Sequence, residues 1–268
     1  MDLEYEPQVA GDGSLRGFEA FARWHVADTG SGGLEKLPST ELGDSVWRWT
    51  DRMLDRVLRQ QAAWRKLDSP VVRVSINIDA GHLSRSDFAD LVFGALSRHQ
   101  VRAEYLSLEI AEATLTADLV DVALMLHTLR QRGVHIALDN FGTDWTRLDR
   151  LVKLPIDALK LDRSFVRQIG TDRKWQSVAS AVVKLAAMRR LEVIAEGVEQ
   201  PEQLALLTSF GVNAFQGSLF HLPASADHWT SVMHQPRPTL SGWESTATMA
   251  LFEDRDPRER PAGGRPAI

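Results

Sequence analysis

The 268-residue chain has no cysteine, which excludes disulfides, thiolate metal sites and cysteine nucleophiles. That absence suits a reducing compartment, and a cytoplasmic location is the expectation. Tyrosine occurs only twice, and lysine is sparse beside arginine, so a lysine inside an apolar run stands out. Long hydrophobic runs are missing: no stretch approaches the ~18 apolar residues of a membrane helix. The start, Met1-Asp2-Leu3-Glu4-Tyr5-Glu6, is acidic where a signal peptide would be basic. There is no excess of positive charge either. A formal net charge of −5 argues against electrostatic binding of nucleic-acid polymers, although it is compatible with a local pocket for a small phosphodiester. Phosphate loops of the Walker-A or GxGxxG kind, a GxSxG elbow and an HExxH pair are all absent. Hydride transfer and nucleoside triphosphate hydrolysis lose ground accordingly.

What is present is ordinary globular composition, 44% hydrophobic and 25% charged. The length suits a single α/β barrel of about 250 residues. From residue 71 onward, short β-branched runs alternate with amphipathic stretches. Residues 71–78, 105–110, 134–139, 158–161 and 191–195 read as strands. Phe88, Leu91, Val92, Ala95 and Leu96 recur at helical spacing, and helices are predicted over 119–132, stopped by Gly133, and over 175–187. A further helix over 201–210 has Pro at its start and Gly211 just past its end. Alternation of this kind builds a parallel sheet, closed or doubly wound.

The polar residues favour closure. Glu19, Asn77, Glu109, Asp139, Lys160, Glu196 and Gln216 each lie at or just beyond the end of an apolar run. In a closed barrel the C-terminal ends of the strands ring one mouth, so residues this far apart in sequence converge. The 58-residue gap between Glu19 and Asn77 leaves room for an additional strand or helix pair. The barrel is expected over residues 1–235. Residues 236–268 end in EDRDPRERPAGGRPAI, rich in Pro, Gly and alternating charge, and read as a disordered extension.

Glu19, Asn77, Glu109 and Asp139 form an all-oxygen set suited to a hard cation, Mg²⁺ or Mn²⁺. Singly, each would read as a strand-end cap; together, three carboxylates would repel without a cation. Asn140, beside Asp139, can coordinate but supplies no charge to a second ion. Strand alternation puts Lys160 and Asp162 on one face, where the lysine needs a carboxylate or a ligand phosphate, or pairs with Asp162 itself. Ala195-Glu196-Gly197-Val198-Glu199 sets two carboxylates three apart at a strand end, aimed inward or favoured by the next helix's dipole.

These stretches resemble the EAL-domain cyclic di-GMP phosphodiesterases. Glu19-Ala20-Phe21-Ala22-Arg23-Trp24 matches EALxRW, and Leu108-Glu109-Ile110-Ala111-Glu112 matches LEITE. Asp139-Asn140-Phe141-Gly142-Thr143 matches DDFGTG, and Leu154 to Phe165 matches LPxDxxKIDRSF. Ala195 to Glu199 matches AEGVE, and Gln216-Gly217 with Pro223 matches QGxxFxxP. The likeness runs in order from about residue 3 to 235. It implies a TIM-type (β/α)₈ barrel with an antiparallel first strand, and metal-dependent hydrolysis of cyclic di-GMP to linear pGpG.

By the same resemblance, Glu19, Asn77, Glu109 and Asp139 hold one metal, and Asp139, Asn140 and Glu196 a second. Lys160 and Glu196 act at the attacking water, with Glu199 and Gln216 supporting. Arg23 and Asp162 touch the ligand, and Glu112 anchors the loop after Asp139. A homodimer or a protein partner is a further expectation, and no sensory or GGDEF-like region is read ahead of the barrel. Four departures stand out: Asn140 for the second aspartate of DDFG, Asp144-Trp145-Thr146-Arg147 for GYSS, Glu6 for the glutamine of a QP motif, and Phe21 for leucine. They leave three readings open: a phosphodiesterase with a weakened second metal site, a receptor that binds without cleaving, and an interaction module without ligand.

Overall fold

In a computed structural model the described residues are 2–23, 34–35, 44–67, 72–111, 115, 119–142, 148–170 and 172–234. The chain opens with strands β1 (Asp2–Val9), β2 (Leu15–Arg23) and β3 (Leu34–Glu35), then helix α1 (Asp44–Lys66). Strand–helix alternation follows: β4 (Arg73–Ile78), α2 (Phe88–His99), β5 (Leu106–Ala111), α3 (Leu119–Gln131), β6 (His135–Phe141), α4 (Leu148–Lys153) and β7 (Ala158–Leu161). After α5 (Arg163–Ile169) and α6 (Arg173–Met188) come β8 (Glu192–Ala195), α7 (Pro201–Phe210), β9 (Ala214–Phe215), β10 (Ala224–Ser225) and α8 (Ala226–Met233).

Eight strands close in the order β1-β2-β4-β5-β6-β7-β8-β9, with β9 returning to β1. Neighbours from β2 to β9 are parallel, whereas β1 runs antiparallel to both β2 and β9. β3 and β10 are short additions outside the ring, on β2 and β1. The 58 residues after Glu19 thus hold β3 and α1.

Period-2 alternation divides each strand into two roles. One face carries Val74, Ile76, Ile78, Leu106, Leu108, Ile110, Ile136, Leu138, Leu159, Leu161 and Val193, all buried in the continuous core under the helices. The opposite face lines the barrel in layers. Ser75, Ser107, Ala137, Ala158, Ile194 and Ala214 make the middle layer, and four of them form a separate small apolar cluster. Two residues further along each strand stand Asn77, Glu109, Asp139, Lys160, Glu196 and Gln216. Two residues earlier on three strands stand Arg73, His135 and Glu192. The small middle layer leaves the polar rims to be built at the two ends.

At the N-terminal end of the parallel strands, Arg73 Nη1 pairs with Glu192 Oε2 at 3.2 Å. His135 Nδ1 lies 3.1 Å from Ser107 Oγ, and its Nε2 lies 3.7 Å from the same Glu192 oxygen. Burial, reinforced by the Arg73 charge, lowers the His135 pKa to about 4 against the pull of Asp157. His135 is therefore neutral at pH 7, and its approach to Glu192 is not an ion pair.

Aromatic side chains are few but concentrated where the reversed strand is held. Tyr5 and Phe18, diagonal neighbours on β1 and β2, meet Trp64 of α1 and Trp229 of α8. Ring centroids lie 5.1 Å apart for Tyr5–Trp64, 5.4 Å for Phe18–Trp64 and 4.9 Å for Phe18–Trp229. Trp229 Nε1 also donates to the Tyr5 carbonyl at 2.7 Å, so its buried polar group is satisfied.

Candidate functional site

The C-terminal ends of the parallel strands ring one mouth, and because β1 is reversed its N-terminal half arrives there too. Lys160, the third of four residues in β7, is fully buried. Its ammonium donates to Glu19 Oε2 at 2.8 Å and to Glu109, lies 2.5 Å from Glu196 Oε1, and 3.7 Å from Asp139 Oδ1. Burial alone would strip its proton. The four carboxylates, Asp139, Glu109, Glu19 and Glu196, outweigh that and raise its pKa well above the ordinary lysine value. Held charged by these carboxylates, the amine can orient, donate and neutralise.

Glu19 lies within β2, not at its end, and both of its carboxylate oxygens accept hydrogen bonds. Asn77 Nδ2 donates to Oε1 at 2.7 Å, while Lys160 and Gln216 Nε2 (2.9 Å) share Oε2. Carboxylate oxygens of Glu19, Glu109 and Glu196 lie within 4.8 Å of one another. The donor set is hard oxygen throughout and is built by rigid strands, which fits a divalent cation of the Mg²⁺ or Mn²⁺ class. The sequence argument that these acids would repel without a metal is modified in one respect: Lys160 offsets one of the four charges and leaves the set anionic.

A cavity of about 460 Å³ opens over this cluster, lined by Glu6, Glu19, Phe21, Asn140, Asp162, Arg163, Glu196, Gly197, Glu199, Gln216, Gly217 and Ser218. Asn140 adopts φ 59°, a left-handed conformation that Asn tolerates better than most residues, and its N–H is accepted by Asp139 Oδ1 at 2.8 Å. Asp162 does not pair with Lys160. It caps α5, accepting from Ser164 N at 2.8 Å, while still lining the cavity above the lysine. Gly197 is required here: at φ +63° a Cβ would stand 2.4 Å from Arg163 Cβ. The turn after Glu196 and the start of α5 therefore approach closely only because residue 197 lacks a side chain. Glu199 faces the cavity rim, 3.4 Å from Arg167 Nη2 and about half exposed.

Glu19, Asn77, Glu109, Asp139, Lys160, Glu196 and Gln216 are thus brought together, with Asn140, Asp162 and Glu199 around the opening. Arg23 is not among the cavity-lining residues; its guanidinium is clamped by Glu4, with Nε–Oε1 at 2.7 Å and Nη2–Oε2 at 2.9 Å. Glu112, the loop 143–147 and the extension 236–268 lie outside the described residues. Two charged lining residues have no site role assigned from sequence: Arg163, the one cationic side chain among the described lining residues, and Glu6, noted only as a departure from a QP motif. Arg163 falls within the stretch Leu154 to Phe165, and the cavity is what gives it a place at the site.

An anionic, all-oxygen cluster around a buried lysine thus lies at the C-terminal mouth of a TIM-type barrel with one reversed strand, the face on which barrels of this class carry their sites. A family model described as the EAL domain matches residues 1–223, and the chain belongs to that family. It is 33% identical over 225 residues to the cyclic di-GMP phosphodiesterase NbdA of Pseudomonas aeruginosa, covering 83% of this chain and 29% of the relative. It is 34% identical to the cyclic di-GMP phosphodiesterase PdeR of Escherichia coli, covering 84% of this chain and 34% of the relative. The chain spans about a third of the length of these curated relatives. Among solved structures, the phosphodiesterase PaMucR in complex with cyclic di-GMP superposes with a TM-score of 0.77 at 32% identity, covering 85% of this chain and 93% of that one. Among the described residues no helix is long and apolar enough to cross a membrane.

Proposed function

We propose that this chain binds cyclic di-GMP at the barrel mouth and hydrolyses one of its phosphodiester bonds to give linear pGpG, using Mg²⁺ or Mn²⁺. The observation that carries this reading is the buried Glu19–Glu109–Glu196 cluster beneath a cavity of about 460 Å³. Glu19, Asn77, Glu109 and Asp139 would hold one cation, and Asp139, Asn140 and Glu196 a second. Bound there, divalent cations would supply Lewis acidity and neutralise charge on a phosphodiester.

The chain's own residues supply the rest. Glu196 has its side chain almost buried yet lines the cavity, and it is held by the Lys160 ammonium at 2.5 Å. It is placed to orient a water and accept its proton. Lys160, fixed in the charged state, stabilises the developing negative charge. The water oxygen bonds to phosphorus, the bond from phosphorus to the 3′ oxygen breaks, and that oxygen leaves with a proton. Arg163 and Asp162 at the rim are placed to meet phosphate and base edges, and Gln216 keeps Glu19 oriented.

A receptor that binds without turnover is the second reading, and Asn140 favours it. A neutral amide stands in the cavity wall where the family motif has a carboxylate, which weakens the hold on a second cation. Chromatographic detection of pGpG after incubation with cyclic di-GMP and Mn²⁺ tests the first reading. Saturable calorimetric binding without pGpG would leave the receptor, and neither signal would overturn both. Asn140→Asp is expected to raise turnover by restoring the missing charge. An unchanged rate would show that Asn140 is not the limiting departure.

A further inference from the structure

Gln8 is a buried amide that the catalytic reading leaves without a role. It sits at the seam where the barrel closes. Val9 of β1 pairs with Phe215 of β9, and beside that pair Gln8 Nε2 donates to Gln216 Oε1 at 3.3 Å. Its place is prepared on the other side as well. The cross-strand partner of Gln8 on β2 is Gly17, where a Cβ would stand 3.2 Å from Gln8 Oε1 and 2.8 Å from the Arg73 carbonyl oxygen. The nearby interior layer of Ala137, Ala158, Ile194 and Ala214 is apolar. Hydrocarbon would fill such a position without needing a partner, so a buried amide there calls for a reason.

The reason lies one bond further on. A glutamine amide has a donor end and an acceptor end. Gln216 turns its donor end to the carboxylates: Nε2 donates to Glu6 Oε2 at 2.8 Å and to Glu19 Oε2 at 2.9 Å. Its acceptor end is buried and needs a donor, which Gln8 supplies. A buried carbonyl deprived of its donor is costly and favours rotation of the amide. Rotation here would take the N–H groups away from Glu19 and present an oxygen in their place. Glu19 is the residue on which the rest of the cluster converges, since its Oε1 accepts from Asn77 at 2.7 Å and its Oε2 from Lys160 at 2.8 Å. The side chains that orient a metal-binding carboxylate matter to the metal nearly as much as the carboxylate itself.

We infer that Gln8 is a positioning residue for the cation cluster: it holds the Gln216 amide with its N–H end toward Glu19, and through Gln216 it fixes the Glu19 carboxylate. The inference rests on the cation-dependent reading for its consequence but not for its geometry. Gln8→Met fills the same space with no polar atom. Gln8→Glu keeps the shape while replacing the donor with a second acceptor, so it separates loss of the hydrogen bond from loss of packing.

The test uses the full chain in two arms. In the first, hydrogen exchange of the Gln216 side-chain NH₂ is followed by NMR on ¹⁵N-labelled protein without cation. Exchange is expected to be slow in the parent and severalfold faster in Gln8→Met and Gln8→Glu. In the second, Ca²⁺ is titrated calorimetrically into the parent, Gln8→Met, Gln216→Met and the double variant. Gln8→Met is expected to weaken Ca²⁺ binding about tenfold. The double variant is expected to bind no more weakly than Gln216→Met alone, because Gln8 acts only through Gln216. Unchanged Gln216 exchange in both Gln8 variants, unchanged Ca²⁺ affinity in Gln8→Met, or fully additive losses in the double variant would each overturn the inference. Faster Gln216 exchange with no saturable Ca²⁺ binding even in the parent would overturn the cation reading while upholding the hold of Gln8 on Gln216.

Discussion

Lys160 shows how much one side chain organises at the residue scale. Its ammonium is fully buried among four carboxylates, so removing it leaves charges buried without compensation. Lys160→Met is expected to lower stability by about 3–5 kcal/mol in a chelating buffer, with part of the loss restored by Mn²⁺. Urea denaturation with and without Mn²⁺ checks this, and a variant as stable as the parent under chelation would refute it. At the other end of the same barrel, His135 works in the opposite sense. Its pKa in the fold, about 4, lies below the ordinary histidine value of 6.5. The fold therefore favours neutral imidazole. That stability is present above about pH 6.5 and is lost as the pH falls toward 4, to the extent of about 3 kcal/mol. The groups around it are Arg73, Arg130, Asp157, Glu192 and Ser107. His135→Gln should flatten the decline in urea midpoint between pH 7 and 4.5; the same decline in both proteins would remove His135 as its source.

Elements were legible where their signals were local. The helix read over 201–210 is observed as α7, Pro201–Phe210, with Gly211 in the left-handed conformation at its end. The strand read over 158–161 is β7. By contrast α5, seven residues long, is not legible in sequence, because Asp162 reads as the continuation of a strand when it is the cap of a helix. A single aspartate is consistent with both, and only the chain's change of direction distinguishes them. The reversal of β1 is likewise invisible in its own eight residues. It follows from the five residues, 10–14, that join β1 to β2, too few for a crossover, and Trp229 of α8 then packs against Phe18 and the Tyr5 carbonyl. Trp229→Ala is expected to cost about 3–5 kcal/mol and to loosen β1 before the parallel strands. Hydrogen exchange resolved by segment measures this, and unaltered protection of residues 2–9 would count against it.

For the whole molecule, the site is a property of closure. Seven side chains, successive ones up to 58 positions apart and the first and last 197 apart, meet because the barrel returns each strand end to one rim. A ligand that binds only this assembled rim stabilises the entire fold by mass action. Mn²⁺ at about 100 times its Kd should therefore add about 2.7 kcal/mol to the unfolding free energy, an effect that EDTA reverses. A melting temperature indifferent to Mn²⁺ would argue that the acids do not hold a cation.

The sequence by itself determined the parallel alternation of strands and helices, since hydrophobic periodicity and helix caps are encoded within a dozen residues. It also determined the hard-oxygen chemistry of the site, because residue types and their places at strand ends can be read directly. Only the tertiary structure decided which charges meet. Lys160 went to four carboxylates and not to Asp162, Arg23 went to Glu4 and not to the cavity, and Glu6 came to stand opposite Glu19. The reason is physical: pairing between charges depends on distance across strands, and those distances are set by register and closure, which no local stretch of sequence contains.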